Sequence, residues 1–145
     1  MEIELGVGLG HIRFGMTESQ VKSVYGEPNE IVNLKDDNQT DFQYYKEQTT
    51  FRFYHDHEGR LGWIETQNPK VLLFGKEIIG QNKSFIIGLL TQEGHEKYEY
   101  EKYETFDSLF YEDVWLELEL NYELITCVKF GVFIDENDNY IWKNQ

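Results

Sequence analysis

Apolar residues recur along this chain with two periods, and the change of period separates helices from strands. In the stretch FGMTESQVKSVYGEP, residues 14–28, Val21, Val24 and Tyr25 follow the i, i+3, i+4 stripe of a helix. Thr17 is placed to cap it, Gln20 closes a capping box, and Met16 with Val21 forms a hydrophobic staple across the box. Gly26 ends the run at a position that tolerates positive φ, and Pro28 prevents a restart. The prediction is a helix over 18–25 of about two turns, which needs a sheet to lie on. A second helix is expected after Asn82, with Phe85, Ile86, Leu89 and Leu90 on one face and Gly94 as its stop.

Elsewhere the period is two. Residues 30–34 predict a strand and 35–40 an exposed turn. Residues 41–46 (DFQYYK) and 49–54 (TTFRFY) predict aromatic-rich strands, with Phe51 and Phe53 inward and Arg52 and Tyr54 outward. Residues 55–60 make a hairpin connection in which Gly59 suits a left-handed conformation, and 61–66 form the returning strand. Residues 95–106 alternate polar and aromatic side chains. In 114–121 (VWLELELN) Val114, Leu116, Leu118 and Leu120 face a core, opposite Trp115, Glu117 and Glu119. Residues 124–134 supply the last long strand, while 3–5 read as a short opening strand or lead-in and 71–74 as a new apolar run. Each half is therefore a glycine-terminated helix followed by strands. The expectation is one domain over 1–145, of α+β class: an antiparallel sheet with short helices packed on one face, in two tandem helix-plus-sheet repeats at about 10–68 and 72–142.

Charge adds a constraint on partners. Twenty-seven acidic residues against thirteen basic ones give a formal charge of −14. Phosphate backbones and anionic membranes are repelled by such a surface, so neither nucleic acid nor membrane is an expected partner. Acidity serves solubility, and it also complements a basic protein, for which a focused field raises association rates by about 10–10³. The 16% aromatic content excludes a disordered acidic tail. Cys127 is the single cysteine, the N-terminal residues show no basic segment leading into an apolar run, and no segment approaches the ~20 apolar residues of a membrane span. The address expected from these features is cytoplasmic.

Candidate chemistry is sparse. GVGLG near the start departs from a dinucleotide fingerprint because His11 stands where the third glycine belongs, and no long crossover helix follows. His55 and His57 with Asp56 and Glu58 suggest a metal site, but Gly59 marks a turn and no further ligand pair is spaced for one, so a solvated hairpin is the stronger reading. Cys127 lies among alternating apolar residues and reads as a small strand side chain rather than a nucleophile. Glu117 and Glu119 share a face as acid–base carboxylates would, although a solvated or partner-facing sheet explains them more simply. No catalytic residue, metal ligand or cofactor is assigned, and the chain is not expected to be an enzyme. The polar parity of the strands is more informative: Tyr44, Arg52, Tyr54, Trp63, Trp115, Glu117, Glu119 and Lys129 are expected on exposed sheet faces. Of these, Tyr44, Tyr54, Trp63, Trp115, Glu117 and Glu119 are the candidate partner-binding residues, since aromatic anchors beside carboxylates suit a basic partner. A second layer, or a second copy of the chain in a homodimer, could cover the same face.

Ile12, Phe14, Gly15, Met16, Thr17, Val21, Gly26 and Pro28, continued by Phe51, Phe53, Gly59, Leu61 and Ile64, carry a resemblance. The pattern is similar to the helix–sheet repeat of the β-lactamase inhibitor proteins and of the small outer-membrane lipoproteins of barrel assembly. It covers residues 12–66 well and the second half loosely. The resemblance implies an antiparallel sheet that carries helices on one face and offers the other to a protein. By size and charge the chain also resembles bacterial immunity proteins, which neutralise basic nuclease or other toxin domains; this is an analogy of fold and charge. The expected function is therefore a non-catalytic inhibitor or immunity protein that binds a basic partner, with a cytoplasmic scaffold or assembly module of the same fold as the alternative.

Overall fold

Two four-stranded meanders meet edge to edge in this structure, a computed structural model that describes residues 1–143. Three short strands open the chain, β1 (Glu2–Glu4), β2 (Gly8–Leu9) and β3 (Ile12–Arg13), and lead into helix α1 (Glu18–Tyr25). The first meander follows: β4 (Glu30–Leu34), β5 (Gln39–Tyr44), β6 (Thr49–Tyr54) and β7 (Arg60–Thr66). Next come β8 (Leu72–Leu73), β9 (Lys76–Glu77) and helix α2 (Lys83–Gln92). The second meander is β10 (Glu99–Lys102), β11 (Asp107–Tyr111), β12 (Leu116–Asn121) and β13 (Leu124–Gly131). Antiparallel pairing of β7 with β13, which sets Ile64 opposite Phe130 and Glu65 opposite Lys129, joins them into one eight-stranded sheet. The five short strands form a second sheet in the order β3-β2-β1-β8-β9, in which β1 and β8 run parallel.

Local chemistry accounts for both helices. The Gln20 N–H donates to Thr17 Oγ1 at 3.3 Å and the Thr17 N–H donates to Gln20 Oε1 at 2.8 Å, so both arms of the capping box are made. Gly26 ends α1 at φ +81°. Val21 is fully buried, but Val24 is 46% exposed, so the stripe is narrower than the sequence suggests. The Asn82 side chain accepts from the Phe85 N–H at 2.9 Å and starts α2, which buries Ile86 and Leu90.

The core lies between one face of the large sheet, the second sheet and the two helices. Phe42, Phe51, Phe53, Ile64, Leu118 and Phe130 come from the large sheet; Ile3, Leu9, Ile12 and Leu73 come from the small one. Alternation in the long strands predicts the antiparallel sheet, and β6 spans residues 49–54 as expected. The expected architecture of short helices on one sheet, in two tandem helix-plus-sheet repeats, is corrected. Among the described residues the fold is mostly β, with a continuous eight-stranded sheet, a separate five-stranded sheet and two α-helices of 8 and 10 residues. The second sheet escaped the sequence for a physical reason. Its strands are two or three residues long, too short to display a period of two, so residues 3–5 and 71–74 gave no pattern that would pair them.

Candidate functional site

The face of the large sheet turned away from the core carries a polar and aromatic surface, and strand register fixes its order. Across the centre, Thr50 stands opposite Glu65, Glu65 opposite Lys129, Lys129 opposite Glu117, Glu117 opposite Phe110 and Phe110 opposite Glu99. A parallel row sets Cys127 opposite Glu119, Glu119 opposite Ser108 and Ser108 opposite Glu101. Directly opposed residues share a face, so these side chains form one continuous patch.

Charges on this patch are partly neutralised by fixed contacts. Arg52 Nε and Nη2 donate to the two oxygens of Asp41 at 2.9 and 3.1 Å, a bidentate fork, and Arg52 lies 3.8 Å from Glu65. That bond to Asp41 holds the Arg52 pKa above its ordinary value, against the opposing effect of burial. Lys129 Nζ reaches Glu119 at 2.9 Å. Burial alone would lower the Lys129 pKa, but the bond to Glu119 and the fields of Glu65 and Glu117 outweigh it and raise it. The Ser108 hydroxyl donates to Glu117 at 3.0 Å, and the Trp63 indole donates to Glu65 at 3.2 Å. These contacts tie the charges of the patch to fixed partners on neighbouring strands.

Trp63 and Trp115 come together over Gly131. A Cβ at Gly131 would lie 2.6 Å from the Trp63 ring and 2.8 Å from Trp115, so glycine lets both indoles settle on the sheet. Phe110 extends this aromatic strip, its ring centroid 5.6 Å from that of Trp115. Trp115 is not a strand residue as expected: a 3-10 turn over 112–114 precedes it, its φ is +49°, and β12 begins at Leu116. Glu117 and Glu119 do project from β12 onto the outer face beside it.

Two expected anchors are placed otherwise. Tyr44 is corrected to the core: it is 3% exposed, stacks near Tyr25 and Phe51, and donates its hydroxyl to the Gly26 carbonyl at 2.8 Å. The parity of β5 runs inward through Phe42 and Tyr44, and it is Tyr45, 59% exposed, that reaches solvent. Burial pushes the Tyr44 phenol up to about 12. Tyr54 has the outward parity, but its ring presses on Gly62 and packs edge-on against Tyr140, at 6.0 Å between centroids. Sequence reasoning missed Glu99, Glu101, Phe110 and Glu65 as members of the patch. The alternation EYEK at 99–102 was the available signal for the first two.

The remaining candidates have structural partners. His55 Nε2 meets the Thr40 hydroxyl at 2.7 Å, and the His57 ring stacks on Tyr140 at 3.9 Å. Among the described residues, no three His, Cys, Asp or Glu side chains gather as metal ligands. Cys127 is buried, and burial followed by the fields of Glu119 and Glu65 pushes its thiol up to about 12, far from a reactive thiolate. Among the described residues, no helix is long and apolar enough to cross a membrane.

No family model matches this chain, and no curated protein matches it. Two solved structures are similar to it. An extracellular protein containing an SCP domain from Bacillus anthracis superposes with a TM-score of 0.52 at 11% identity, over 81% of this chain and 43% of its own. A cysteine-rich secretory protein from Staphylococcus aureus gives 0.49 at 12% identity, over 81% and 42%. The chain thus spans less than half the length of either, and likeness at this identity concerns the β-rich fold. Neither is described as a β-lactamase inhibitor, an assembly lipoprotein or an immunity protein. The cytoplasmic expectation is corrected here: the Bacillus anthracis protein of similar fold is described as extracellular. Cys127, one of the features behind that expectation, is a buried side chain of β13.

Proposed function

We propose that this chain is a non-catalytic binding module that engages a basic protein across the outer face of its eight-stranded sheet. One observation carries the reading: Trp63, Trp115 and Phe110 lie side by side among Glu65, Glu99, Glu101, Glu117 and Glu119, with Lys129 as the cation between the two meanders. Aromatic anchors that are already packed lose little freedom on binding, and surrounding carboxylates steer a cationic partner to them. The acidic total of the chain extends the same field. The finer form of the proposal is an inhibitor or immunity protein whose partner is a basic toxin domain such as a nuclease. The setting is proposed as extracellular, after the Bacillus anthracis protein of similar fold.

Capture from native-host culture fluid and lysate tests this, using the tagged full chain at low and high salt. The expected result is one basic protein at one-to-one stoichiometry, released by salt and lost from the double variant Glu117→Gln, Glu119→Gln and from Trp115→Ala. Carboxylate loss should act mainly on the association rate and indole loss on the dissociation rate. Recovery of the chain alone, of acidic or neutral proteins, or of a partner that the variants still hold would overturn the reading.

A further inference from the structure

The chain has three arginines, and the structure treats one of them differently from the other two. Arg52 is locked onto Asp41, whose side chain is 9% exposed. Arg13 and Arg60 instead line a single open groove of about 580 Å³, together with Phe14, Met16, Thr17 and Gln20. The backbone brings them there: the Gly15 N–H donates to the Leu61 carbonyl at 2.9 Å and the Leu61 N–H donates to the Met16 carbonyl at 2.8 Å, docking the loop after β3 onto the start of β7. Among the described residues lining the groove, none is acidic, in a protein of formal charge −14.

Both guanidiniums have displaceable partners. Arg13 reaches Glu4 at 3.3 Å and Arg60 reaches Glu58 at 3.4 Å, with the glutamate side chains 50% and 80% exposed. Exposed pairs of this kind are weak and exchange readily. Arg60 also lies over the Trp142 ring at 5.6 Å. A guanidinium held by its face keeps its in-plane N–H fork for a planar oxyanion.

We propose that this groove binds a small organic anion through a carboxylate or phosphate group held between Arg13 and Arg60. The site shares no residue with the acidic outer patch, so the chain presents opposite charges to two different ligands. The groove has room for the carbon skeleton of the anion against the Met16 side chain, and Gln20 and Thr17 supply polar groups at its rim.

Titration of the ¹⁵N-labelled full chain with succinate and, separately, with glycerol 3-phosphate tests the proposal, with sodium chloride at matched ionic strength as control. Saturable shifts of the Arg13 and Arg60 Nε–H and Trp142 indole N–H resonances are expected. Arg13→Gln and Arg60→Gln should each weaken binding by about tenfold, while Glu4→Gln with Glu58→Gln should tighten it about two- to threefold by removing the competing carboxylates. Response to succinate alone assigns the carboxylate, and response to the ester alone assigns the phosphate. Shifts that never saturate, that chloride reproduces, or that survive both arginine replacements in a folded protein overturn the site.

Discussion

The two meanders have the same strand order and handle the same problems differently, most visibly at the tyrosine that ends the second strand of each. Tyr44 closes β5 and Tyr111 closes β11; both are buried in the core, at 3% and 1% exposure. The Tyr44 hydroxyl donates to the carbonyl of Gly26 and so ties the sheet to the end of α1. The Tyr111 hydroxyl is buried beside Tyr98 and finds no acceptor among the described residues. Their outer faces differ in the same sense. In the first meander Arg52 answers both Asp41 and Glu65, whereas in the second Lys129 is bonded to Glu119 and feels the field of Glu117, while Glu101 accepts from the Tyr103 hydroxyl. The first half is satisfied internally and the second is left with acceptors to spare, so the proposed partner face belongs mainly to the second half.

Breaking the fork in the first meander gives the largest expected effect. Asp41→Ala leaves a guanidinium of 24% exposure with only Glu65 at 3.8 Å, and should cost about 2–3 kcal/mol. Glu119→Ala should cost only about 1 kcal/mol, since the Lys129 stem can swing its ammonium toward Glu117 or Glu65. Urea midpoints at unchanged slope measure both. Equal losses would remove the distinction between an internally satisfied half and an acceptor-rich one.

The tyrosines sharpen the comparison with opposite signs. Tyr44→Phe removes a made hydrogen bond and strands the Gly26 carbonyl, which should destabilise by about 1 kcal/mol. Tyr111→Phe removes a buried hydroxyl with no acceptor and should be neutral or stabilise by up to about 1 kcal/mol. Thermal or urea unfolding decides this, and a loss at Tyr111 like that at Tyr44 would show that its hydroxyl is satisfied after all.

What the sequence made legible follows the length of each signal. The capping box at Thr17 and Gln20, the Asn82 cap and the alternation of residues 49–54 and 116–121 are patterns dense enough to read directly. Strands of two residues have no period, so β8 and its partner β1 could be found only once folded. At Tyr44 the alternation was available, since Phe42 and Tyr44 share the phase opposite Asp41 and Gln43; the adjacent Tyr45 gives the other phase an aromatic residue as well and blurs the assignment. Trp115 was placed on the correct side of the sheet but in a strand that had not begun. The meeting of Trp63 with Trp115 depends on the pairing of β7 with β13, far apart in the chain, and on Gly131, neither of which a local pattern encodes.

Turn chemistry separates the halves by a smaller amount. β6 and β7 are joined through Glu58 and Gly59, with φ of +62° and +69°, so glycine takes one of the two left-handed positions. β12 and β13 are joined through Tyr122 and Glu123 at +52° and +69°, with glycine at neither. The first of these connections runs over five residues, 55–59, whereas the second is a two-residue hairpin of the kind that favours Asn-Gly. The double replacement Tyr122→Asn, Glu123→Gly should stabilise by about 0.5–1 kcal/mol in thermal unfolding, after the added chain entropy of glycine. No gain would mean that the strain is offset by side-chain contacts of Glu123, whose carboxylate lies 4.0 Å from the Lys83 ammonium.

Alkaline titration leaves neutral-pH stability untouched and asks whether the two buried phenols are equivalent in anything but their hydrogen bonds. Burial pushes both Tyr44 and Tyr111 up to about 12; Glu27 and Glu47 add to this at Tyr44, and Tyr98 at Tyr111. A phenol in the unfolded chain ionises near 10. The folded state therefore holds these protons more tightly, and the stability they contribute is complete below pH about 10 and lost as pH rises toward about 12. Tyrosinate absorbance should show a late class that Tyr44→Phe and Tyr111→Phe each diminish by one residue. If only Tyr44→Phe diminishes it, Tyr111 ionises early, and the second meander must let water reach a side chain that the first keeps dry.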